Sequence, residues 1–399
     1  MKVLIISHMY PSTYNNVAGI FVHEQVKQIK ALGCEVKVIC PIPAVPFPLG
    51  LIRPSWKKYS LVPKKDIVEG IEVYYPRYIE LPKGIMFEHL GSFMYSGMKK
   101  IVKDIYKEFK FDVIHSNVAM PDGYAGVLLN EKFKVPHVVT VHGQDLQSTI
   151  KRKKKITDKL FKVFKEVDAI VVVSNKLKNV INYSPYSEKL HVVNNGINPK
   201  KIENNTKKEN IHVRDKLKVI SVSNLIDTKG IRYNIEALAK LKEKYADIEY
   251  VIVGDGERRK ELEELTDKLS LRDNVKFLGR VKHEEVMELI AKADVFSLPS
   301  YEEGFGVVYI EAMVHGKPVI GVKGEGIEDV IVDKENGFLV NRKSSEDIYQ
   351  AIKFIIENPD KAEDIAKKGK ETVMSNFTWK INAEKVIEIY KFLCSENCH

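Results

Sequence analysis

The chain has 399 residues, of which 44% are hydrophobic and 29% are charged, and its formal net charge is +9. This length exceeds what one hydrophobic core usually supports, so two domains are expected. The sequence holds no run of 18 apolar residues, which excludes an ordinary transmembrane helix. Its first apolar run, Val3–Ile6, is too short for the core of a secretory signal and is interpreted as a strand, so a cytoplasmic protein is expected.

The positive charge is concentrated in the first half of the chain. Residues 1–195 contain 29 Lys and Arg against 17 Asp and Glu, whereas the remaining residues are slightly acidic. A basic chain raises the alternative of nucleic-acid binding. The lysine run at 151–155 lacks interleaved aromatic residues and any nucleic-acid motif, so no nucleic-acid partner is expected.

Short β-branched runs alternate with amphipathic stretches along the chain, which is typical of parallel sheets with helices on both faces. In the first half, strands are predicted near Val3–Ile6, Glu35–Ile39, Val113–Ile114, Val138–Val141, Ile170–Val173 and His191–Val193. In the second half, they are predicted near Val219–Val222, Tyr250–Val253, Val275–Phe277, Val295–Leu298 and Val319–Gly321. The polar stretch 198–214 predicts a linker, and the apolar spacing after Phe377 predicts a last amphipathic helix.

In the first half, one strand ends in residues that suit a ligand site. The segment Val138–Asp145 places His142, a glycine and Asp145 directly after a predicted strand. The carboxyl ends of parallel strands are where open α/β sheets bind ligands. A lone histidine at a strand end is more often structural, so this segment alone does not decide its role.

In the second half, the segment Ser221–Gly230 follows a predicted strand and precedes a helix. A lysine at a helix start opposes the helix dipole, so an anionic ligand at Lys229 would remove the conflict. A second strand ends in Val253-Gly-Asp-Gly256, which resembles a dinucleotide fingerprint, but the third glycine position is Arg259 and that interpretation is rejected. Gly254 is expected instead to let a turn pass close to a ligand.

The stretch 298–320 predicts a buried strand, a glycine-rich turn and the start of a helix. The N–H groups at a helix start are unpaired, and Gly304 and Gly306 carry no side chain that would keep a phosphate away from them. Glu303 and Glu311 can accept hydrogen bonds from vicinal hydroxyls. Two isolated glutamates could equally be solvated charges on a helix, but together with the turn they suggest a nucleotide-sugar site.

The string Glu303-Gly-Phe-Gly306, Glu311 and Gly316-Lys-Pro-Val319 closely resembles the signature of family 4 of the retaining glycosyltransferases. The resemblance spans nearly the whole chain. It implies an α/β structure with the GT-B fold, in which two doubly wound Rossmann-like domains face a central cleft and the C-terminal helix crosses back to the first domain. The implied parts are an acceptor-binding domain at 1–197, a linker at 198–214, a nucleotide-sugar-binding domain at 215–376, and the returning helix and tail at 377–399.

The resemblance also implies roles for single residues. It places Lys229 at the donor pyrophosphate, His142 near the reacting sugar, Glu303 at the sugar hydroxyls and Glu311 at the ribose. The residues implied in catalysis are His142, Glu303 and Lys229. Those implied in donor binding are Gly19, Asn224, Lys229, Gly254, Arg280, Val281, Glu303, Gly304, Phe305, Gly306, Val307 and Glu311. Acceptor-side candidates are Asp145 and Asp122.

In two places the chain departs from the family pattern. The family usually has an arginine at the position of Asn224, and an amide does not replace a bidentate guanidinium. In the loop after the first strand, the family usually has two glycines, whereas this chain has Ala18 and Gly19.

The implied reaction is transfer of a sugar, with retention, from a nucleotide diphosphate sugar, preferably a UDP-sugar. The implied acceptor is a glycan or lipid-linked sugar in cell-surface polysaccharide synthesis. No cofactor and no metal are expected, since the sequence has no Asp-x-Asp motif. The alternative is an epimerase or a nucleotide-sugar hydrolase with the same GT-B fold.

Two further features predict attachment to an anionic membrane surface at the inner face of the plasma membrane. The basic run at 151–155 continues in Lys159, Lys162 and Lys165, on a predicted helix whose apolar positions are expected to face the core. The segment Pro41–Trp56 is apolar, rich in proline and followed by basic residues. Each basic residue near an anionic bilayer contributes about 1 kcal/mol.

Overall fold

The structure is a computed structural model that describes residues 1–13, 15, 17–45, 59–80, 85–182, 185–199, 217–245 and 247–396. These residues form two compact units. The first unit comprises Met1–Asn195 and the helix that begins at Trp379, and the second comprises Gly196–Thr378. Most of the predicted linker, from residue 200 onward, and residues 46–58 of the predicted apolar segment lie outside the described residues.

The first unit is built on a mostly parallel sheet. Its strands are β1 Lys2–Ile6, β2 Glu35–Ile39, β4 Lys65–Val68, β5 Ile71–Tyr74, β7 Val113–Asn117, β8 His137–Val141, β9 Ala169–Val172 and β10 Leu190–Val192. The remaining two strands, β3 Ile42–Pro43 and β6 Arg77–Tyr78, pair with each other in a small separate sheet. The order is β10-β9-β8-β7-β1-β2-β5-β4, with only the pair of β4 and β5 antiparallel within the described strands. Every residue of β7, β8 and β9 is buried, as expected for parallel strands covered on both faces.

Helices cover both faces of this sheet. They are α1 Ile20–Ala31, α2 Leu90–Glu108, α3 Tyr124–Phe133, α4 Gln144–Gln147, α5 Lys154–Glu166, α6 Asn175–Ile181 and the C-terminal helix Trp379–Glu396. Helix α5 buries Ile156, Leu160, Val163 and Phe164. The prediction that its apolar face belongs to the core is therefore confirmed.

The C-terminal helix packs on α1 and belongs to the core of the first unit. Its Asn382 links two parts of that unit, because Oδ1 accepts a hydrogen bond from Gln25 at 2.7 Å and Nδ2 donates to the Asn194 carbonyl at 2.7 Å. The hydroxyl of Tyr390 lies 2.5 Å from Nδ1 of the buried His115 on β7. The predicted return of this helix to the first domain is confirmed.

The second unit has a six-stranded parallel sheet. Its strands are β11 Leu217–Val222, β12 Ile248–Val253, β13 Val275–Gly279, β14 Val295–Ser297, β15 Val319–Val322 and β16 Phe338–Val340. Their order is β13-β12-β11-β14-β15-β16. The helices are α7 Ile231–Lys242, α8 Arg259–Lys268, α9 His283–Lys292, α10 Val307–Val314, α11 Ser345–Glu357 and α12 Pro359–Asn376. No helix in the described part of the chain is long and apolar enough to cross a membrane.

Each strand predicted from the sequence forms, and each sheet has one topological switch point. In the first unit the chain builds outward from β1 through β2 and then crosses to β7 on the other side of β1. In the second unit it builds from β11 through β13 and then crosses to β14 beside β11. Ligands of open α/β sheets bind outside the carboxyl ends of the strands at such points. The two switch points are therefore the expected positions of a ligand site.

Candidate active site

At the switch point of the second unit, Lys229 and Glu303 form an ion pair. Lys229 ends a short turn after β11, and Glu303 lies in the loop between β14 and α10. Lys229 Nζ lies 2.5 Å from Glu303 Oε2, and the Ser300 hydroxyl donates to the same oxygen at 3.0 Å. The side chains of Lys229 and Glu303 are 21% and 18% exposed, so a ligand can reach both.

The sequence predicts that Lys229 lies in the first turn of a helix, where its positive charge would need an anionic ligand. The ion pair with Glu303 corrects this prediction. Gly230 separates Lys229 from α7, and Glu303 already compensates the ammonium charge. The contact places the Lys229 side chain beside the loop that carries Glu303 and Gly304.

A second carboxylate fixes the loop that carries Glu303. The backbone N–H of Glu303 donates to Glu325 Oε2 at 2.7 Å, and Glu325 Oε1 lies 3.0 Å from Nη2 of Arg342. The Glu325 side chain is only 1% exposed. Sequence reasoning missed Glu325 and Arg342, although Glu325 follows the end of β15 as Glu303 follows β14.

Two glycines in this unit are required by the protein itself. Gly306, at φ 88°, precedes α10, and a Cβ there would lie 2.5 Å from the Tyr309 ring. Gly254 follows β12, and a Cβ there would lie 1.8 Å from the Ser223 carbonyl oxygen. Close approach of a ligand, expected from the sequence, is therefore not the only reason for either glycine.

Phe305, a predicted donor-side residue, makes an aromatic contact inside the second unit. Its side chain is buried, and its ring centroid lies 6.2 Å from that of Phe377. The ring therefore supports the loop from within the unit. The backbone of Gly304, Phe305 and Val307 lies beside the start of α10, where helix N–H groups lack intrahelical partners.

Glu311 lies on α10, and its side chain is 16% exposed. Burial raises the pKa of this carboxyl to about 8. Nε2 of His283, at the start of α9, lies 3.6 Å from Glu311 Oε1. Hydroxyl donors from a ligand would favour the ionised carboxylate, which burial disfavours.

The other predicted donor-side residues lie at strand ends of the same sheet. Asn224 is exposed and lies two residues beyond the end of β11. The N–H of Gly254 donates to the Gly279 carbonyl at 2.8 Å, which joins the ends of β12 and β13. Arg280 and Val281 follow β13, where Arg280 is exposed and Val281 is half-buried.

In the first unit, His142 follows β8 and is neutral. Its Nε2 lies 3.0 Å from Asn117 Oδ1, and its ring packs against Phe21 with centroids 4.6 Å apart. Burial lowers the pKa of His142 to about 4, and Nδ1 is buried without a hydrogen-bond partner among the described residues. Gly19, a predicted donor-side residue, immediately precedes α1.

Asp145 lies after β8 and is bonded to the loop after β7. Its carboxylate accepts the N–H groups of Ala119 at 2.9 Å and Met120 at 3.1 Å, both in the loop after β7. Burial raises the pKa of Asp145 to about 6. These hydrogen bonds hold the loop after β7, and the acceptor-side role of Asp145 stays a prediction.

Asp122 forms a pair with His8, which sequence reasoning missed. The carboxylate is fully buried and accepts both the backbone N–H of His8, at 3.2 Å, and its ring Nδ1–H, at 3.0 Å. Burial lowers the pKa of His8, but the charge and hydrogen bond of Asp122, together with the charges of Glu80 and Asp145, raise it, and the net shift is upward. The available signal was the position of His8 just beyond the end of β1.

Comparison with known proteins identifies the family. Residues 18–201 match the family described as Glycosyltransferase Family 4, and residues 202–372 match that described as Glycosyl transferases group 1. The chain belongs to glycosyltransferase family 4. This family 4 glycosyltransferase is 29% identical to the Bacillus subtilis protein named putative teichuronic acid biosynthesis glycosyltransferase TuaC, over 98% of both chains.

Solved structures confirm the GT-B fold of this family 4 glycosyltransferase. Sucrose-phosphate synthase from Thermosynechococcus elongatus superposes with a TM-score of 0.76 at 20% identity, over 99% of this chain and all of that chain. Anabaena Alr3699/HepE in complex with UDP-glucose gives a TM-score of 0.70 at 21% identity, over 98% of this chain and 99% of that chain. The predicted class of nucleotide-sugar glycosyltransferase is confirmed.

Proposed function

We propose that this family 4 glycosyltransferase moves a hexosyl residue from a UDP-sugar to a sugar acceptor with retention at the anomeric carbon. The observation that carries the proposal is the Lys229 and Glu303 pair, which lies at a switch point beside the start of α10. A cation and helix N–H groups suit a diphosphate, and a carboxylate suits sugar hydroxyls. The choice of UDP is supported by HepE, whose solved complex holds UDP-glucose.

In the proposed reaction, the diphosphate of the donor replaces Glu303 as the ion-pair partner of Lys229. The ammonium group and the amides at the start of α10 then stabilise the negative charge that develops on the diphosphate. Glu303, released from the ion pair, accepts hydrogen bonds from hydroxyls of the transferred sugar. Because Asn224 cannot supply a bidentate guanidinium, Lys229 carries a larger share of the phosphate charge.

We propose a front-face substitution. The bond between the anomeric carbon and the diphosphate oxygen breaks, the acceptor oxygen bonds to the anomeric carbon on the same face, and the acceptor proton passes to the diphosphate. A double displacement requires a free carboxylate nucleophile. The pairing of Glu303 with Lys229 supports the first route.

The remaining donor-side roles follow the family. Glu311 accepts hydrogen bonds from the ribose, and the backbone at Arg280 and Val281 contacts the base. Gly254 and Gly19 lie close to the donor phosphates. His142, a neutral imidazole, acts near the reacting sugar, and Asp122 and Asp145 belong to the acceptor side.

We propose that the reaction needs no divalent metal, since Lys229 and the α10 amides suffice for the diphosphate charge. Turnover that persists after treatment with EDTA supports this. Activity that disappears with EDTA and returns with Mg²⁺ or Mn²⁺ overturns it.

The proposed acceptor is a glycan or lipid-linked sugar in cell-surface polysaccharide synthesis. Its support is the similarity to TuaC, whose name assigns that protein to teichuronic acid biosynthesis. Product analysis with and without acceptor separates a transferase from the alternatives, an epimerase or a nucleotide-sugar hydrolase.

We further propose a cytoplasmic protein that attaches to the inner face of the plasma membrane through the first unit. Residues 151–155 are all exposed, and α5 buries its apolar face in the core, so this basic segment is accessible to anionic lipid. At low salt, co-sedimentation with anionic but not zwitterionic vesicles is expected. Protein that stays in the supernatant with both vesicle types contradicts the proposal.

The donor proposal is tested by thermal unfolding with UDP, GDP and ADP. A nucleotide at a hundred times its dissociation constant adds about 2.7 kcal/mol to the free energy of unfolding. We expect UDP to stabilise the wild type most, and Glu311→Ala to weaken that response. No response to any of the three nucleotides in folded protein would overturn the assignment of the site.

A further inference from the structure

The loop that carries Glu303 contains a residue in an unfavourable backbone conformation. Glu302 has a φ of 72°, which lies in the left-handed region that residues with a side chain rarely adopt. Its side chain is exposed, so burial of the side chain does not account for this conformation. Such a conformation persists only where surrounding contacts hold it, and it is typical of functional sites. The contacts on either side of Glu302 therefore determine where the Glu303 carboxylate lies.

On the side that precedes the strained residue, Tyr301 ties the loop to the turn that carries Lys229. The backbone N–H of Tyr301 donates to the Thr228 carbonyl at 2.8 Å, and its hydroxyl donates to Asp227 Oδ2 at 2.6 Å. The Tyr301 side chain is buried. The start of the loop is therefore fixed relative to the turn after β11.

On the other side, the turn after β15 holds the loop. The N–H of Glu303 donates to the carboxylate of the buried Glu325 at 2.7 Å. The next residue of this turn also touches the loop, because a Cβ at Gly326 would lie 2.2 Å from the Gly304 carbonyl oxygen. Glu325 therefore lies where it can fix the backbone directly after the strained residue.

Arg342, which follows β16, contacts both of these anchors. Its Nη2 lies 3.0 Å from Glu325 Oε1, and its guanidinium carbon lies 5.7 Å from the centroid of the Tyr301 ring. A guanidinium is attracted both to a carboxylate and to the face of an aromatic ring. Arg342 therefore links the two contacts that flank Glu302.

These contacts act on one end of the proposed donor site. Glu303 carries the carboxylate proposed for sugar hydroxyls, whereas the amides at the start of α10 are proposed for the diphosphate. Helix α10 is held separately, since its buried Tyr309 donates a hydrogen bond to the Leu298 carbonyl at 2.7 Å. Loss of the Glu325 contact should therefore disturb sugar binding and spare the diphosphate.

We propose that Glu325 is a positioning residue for Glu303. Together with Arg342, it holds the strained loop so that the Glu303 carboxylate meets hydroxyls of the transferred sugar. Neither Glu325 nor Arg342 is assigned a contact with the donor. The inference rests on the proposed function, because only a sugar donor requires this carboxylate to be placed.

The first test needs no ligand and uses hydrogen exchange of the full-length protein at single-amide resolution. Glu325→Ala should accelerate exchange of the Glu303 amide at least about tenfold, whereas Glu325→Gln keeps an acceptor oxygen and should stay within about threefold of the wild type. The matched control is Glu328→Ala. Glu328 belongs to the same turn and accepts the Gly324 N–H at 2.8 Å, so its loss should not change exchange at Glu303.

The second test compares UDP with UDP-glucose, UDP-galactose and UDP-N-acetylglucosamine. The sugar nucleotide from which the wild type releases UDP fastest serves as the donor. Glu325→Ala should lower kcat/KM for this donor at least about tenfold, because a displaced Glu303 loses its alignment with the sugar. The dissociation constant of UDP should not rise, since Lys229 is then less tightly paired. Glu325→Gln should recover kcat/KM to within about threefold of the wild type.

Two double variants show whether Glu325 acts through Glu303. Glu303→Ala combined with Glu325→Ala should lose no more kcat/KM than Glu303→Ala alone, because placement of the loop no longer matters. Glu302→Gly should restore at least about threefold of the kcat/KM lost in Glu325→Ala, since glycine adopts the left-handed conformation without strain. A general loss of stability would give neither result.

Arg342→Gln is the milder variant if Glu325→Ala does not fold. The Arg342 side chain is 53% exposed, so its replacement should preserve the folded unit. We expect kcat/KM to fall about threefold in the wild-type background and to change little in Glu325→Gln, where the charged partner is absent. The melting temperature reports that each variant is folded. Equal losses in both backgrounds would contradict the link from Arg342 through Glu325.

The outcomes separate this proposal from the proposed function. Folded wild type that binds neither UDP nor any UDP-sugar overturns the proposed function, and hydrogen exchange still decides whether Glu325 holds the loop. Unchanged exchange at Glu303 in Glu325→Ala overturns the positioning role, as does an additive loss in the double variant with Glu303→Ala. A raised dissociation constant of UDP in folded Glu325→Ala overturns the selective effect on the sugar. Without recovery in Glu302→Gly, the strained residue has no part in it.

Discussion

Lys229 Nζ lies 2.5 Å from Glu303 Oε2, so the two groups proposed for phosphate and sugar neutralise each other before a ligand arrives. Neither side chain is fully buried, and each keeps about a fifth of its surface exposed. A diphosphate that draws Lys229 away simultaneously frees Glu303 for hydroxyls. Binding of the two ends of the donor is thereby coupled through one ion pair.

The first prediction concerns this pair. Lys229→Ala should reduce kcat/KM at least about a hundredfold, because it removes a preorganised donor to the leaving group. Steady-state kinetics with the donor sugar measures this. The matched control is Lys240→Ala, whose ion pair with Glu346 is exposed and which should leave kcat/KM within about twofold. Equal losses in both variants would contradict the role of Lys229.

The second prediction is that Glu311→Gln stabilises the empty protein. Burial raises the pKa of Glu311 to about 8, so the folded state keeps a proton that the unfolded state loses above its ordinary value of 4.5. This carboxyl therefore costs stability increasingly as the pH rises from about 4.5 to 8. The amide removes the cost, on the order of 2 kcal/mol at pH 7.

Thermal unfolding at pH 4.5 and pH 7.5 measures this difference. The melting temperature of Glu311→Gln should exceed that of the wild type at pH 7.5 and equal it near pH 4.5. Stabilisation by UDP should be smaller in the variant. A melting temperature at or below that of the wild type at pH 7.5 would contradict the cost assigned to the buried carboxyl.

The sequence could predict which segments meet at the donor site, but not how their side chains pair. Lys229 and Glu303 both follow strands of one parallel sheet, and the rule that carboxyl ends share an edge brings them together. Their direct contact depends on the path of two loops. Glu325 and Arg342 come from two further segments, after β15 and β16, and β16 itself was not predicted.

In the first unit, the sequence predicts fewer of the side-chain contacts. His8 and Asp122 are separated by 114 positions, so no local pattern links them. The sequence correctly predicts that Asp145 follows β8. Its carboxylate accepts hydrogen bonds from backbone N–H groups after β7, and no sequence motif predicts that contact.

The third prediction follows from the raised pKa of Glu311. If ribose hydroxyls stabilise the ionised carboxylate, UDP binding releases a proton at pH 7, and UDP affinity rises as the pH increases from about 6 to 8. Titration calorimetry in two buffers of different ionisation enthalpy counts the protons. Glu311→Gln corrects for protons released by UDP itself, and equal release in both proteins would contradict the proposed ribose contact.

The fourth prediction concerns the C-terminal helix. The Tyr390 hydroxyl lies 2.5 Å from His115 Nδ1, and Thr140 Oγ1 lies 2.7 Å from the other ring nitrogen, so the buried imidazole is satisfied on both sides. Burial lowers the pKa of His115 to about 3, and the neutral ring must keep its hydrogen bonds. Tyr390→Phe leaves one nitrogen unpaired and should cost about 1–3 kcal/mol of unfolding free energy.

Denaturant unfolding measures the loss, and Phe392→Ala, on the same helix with 57% of the side chain exposed, is the control. If both variants unfold at the wild-type midpoint, the hydrogen bond between the helix and β7 does not contribute to the stability of the first unit.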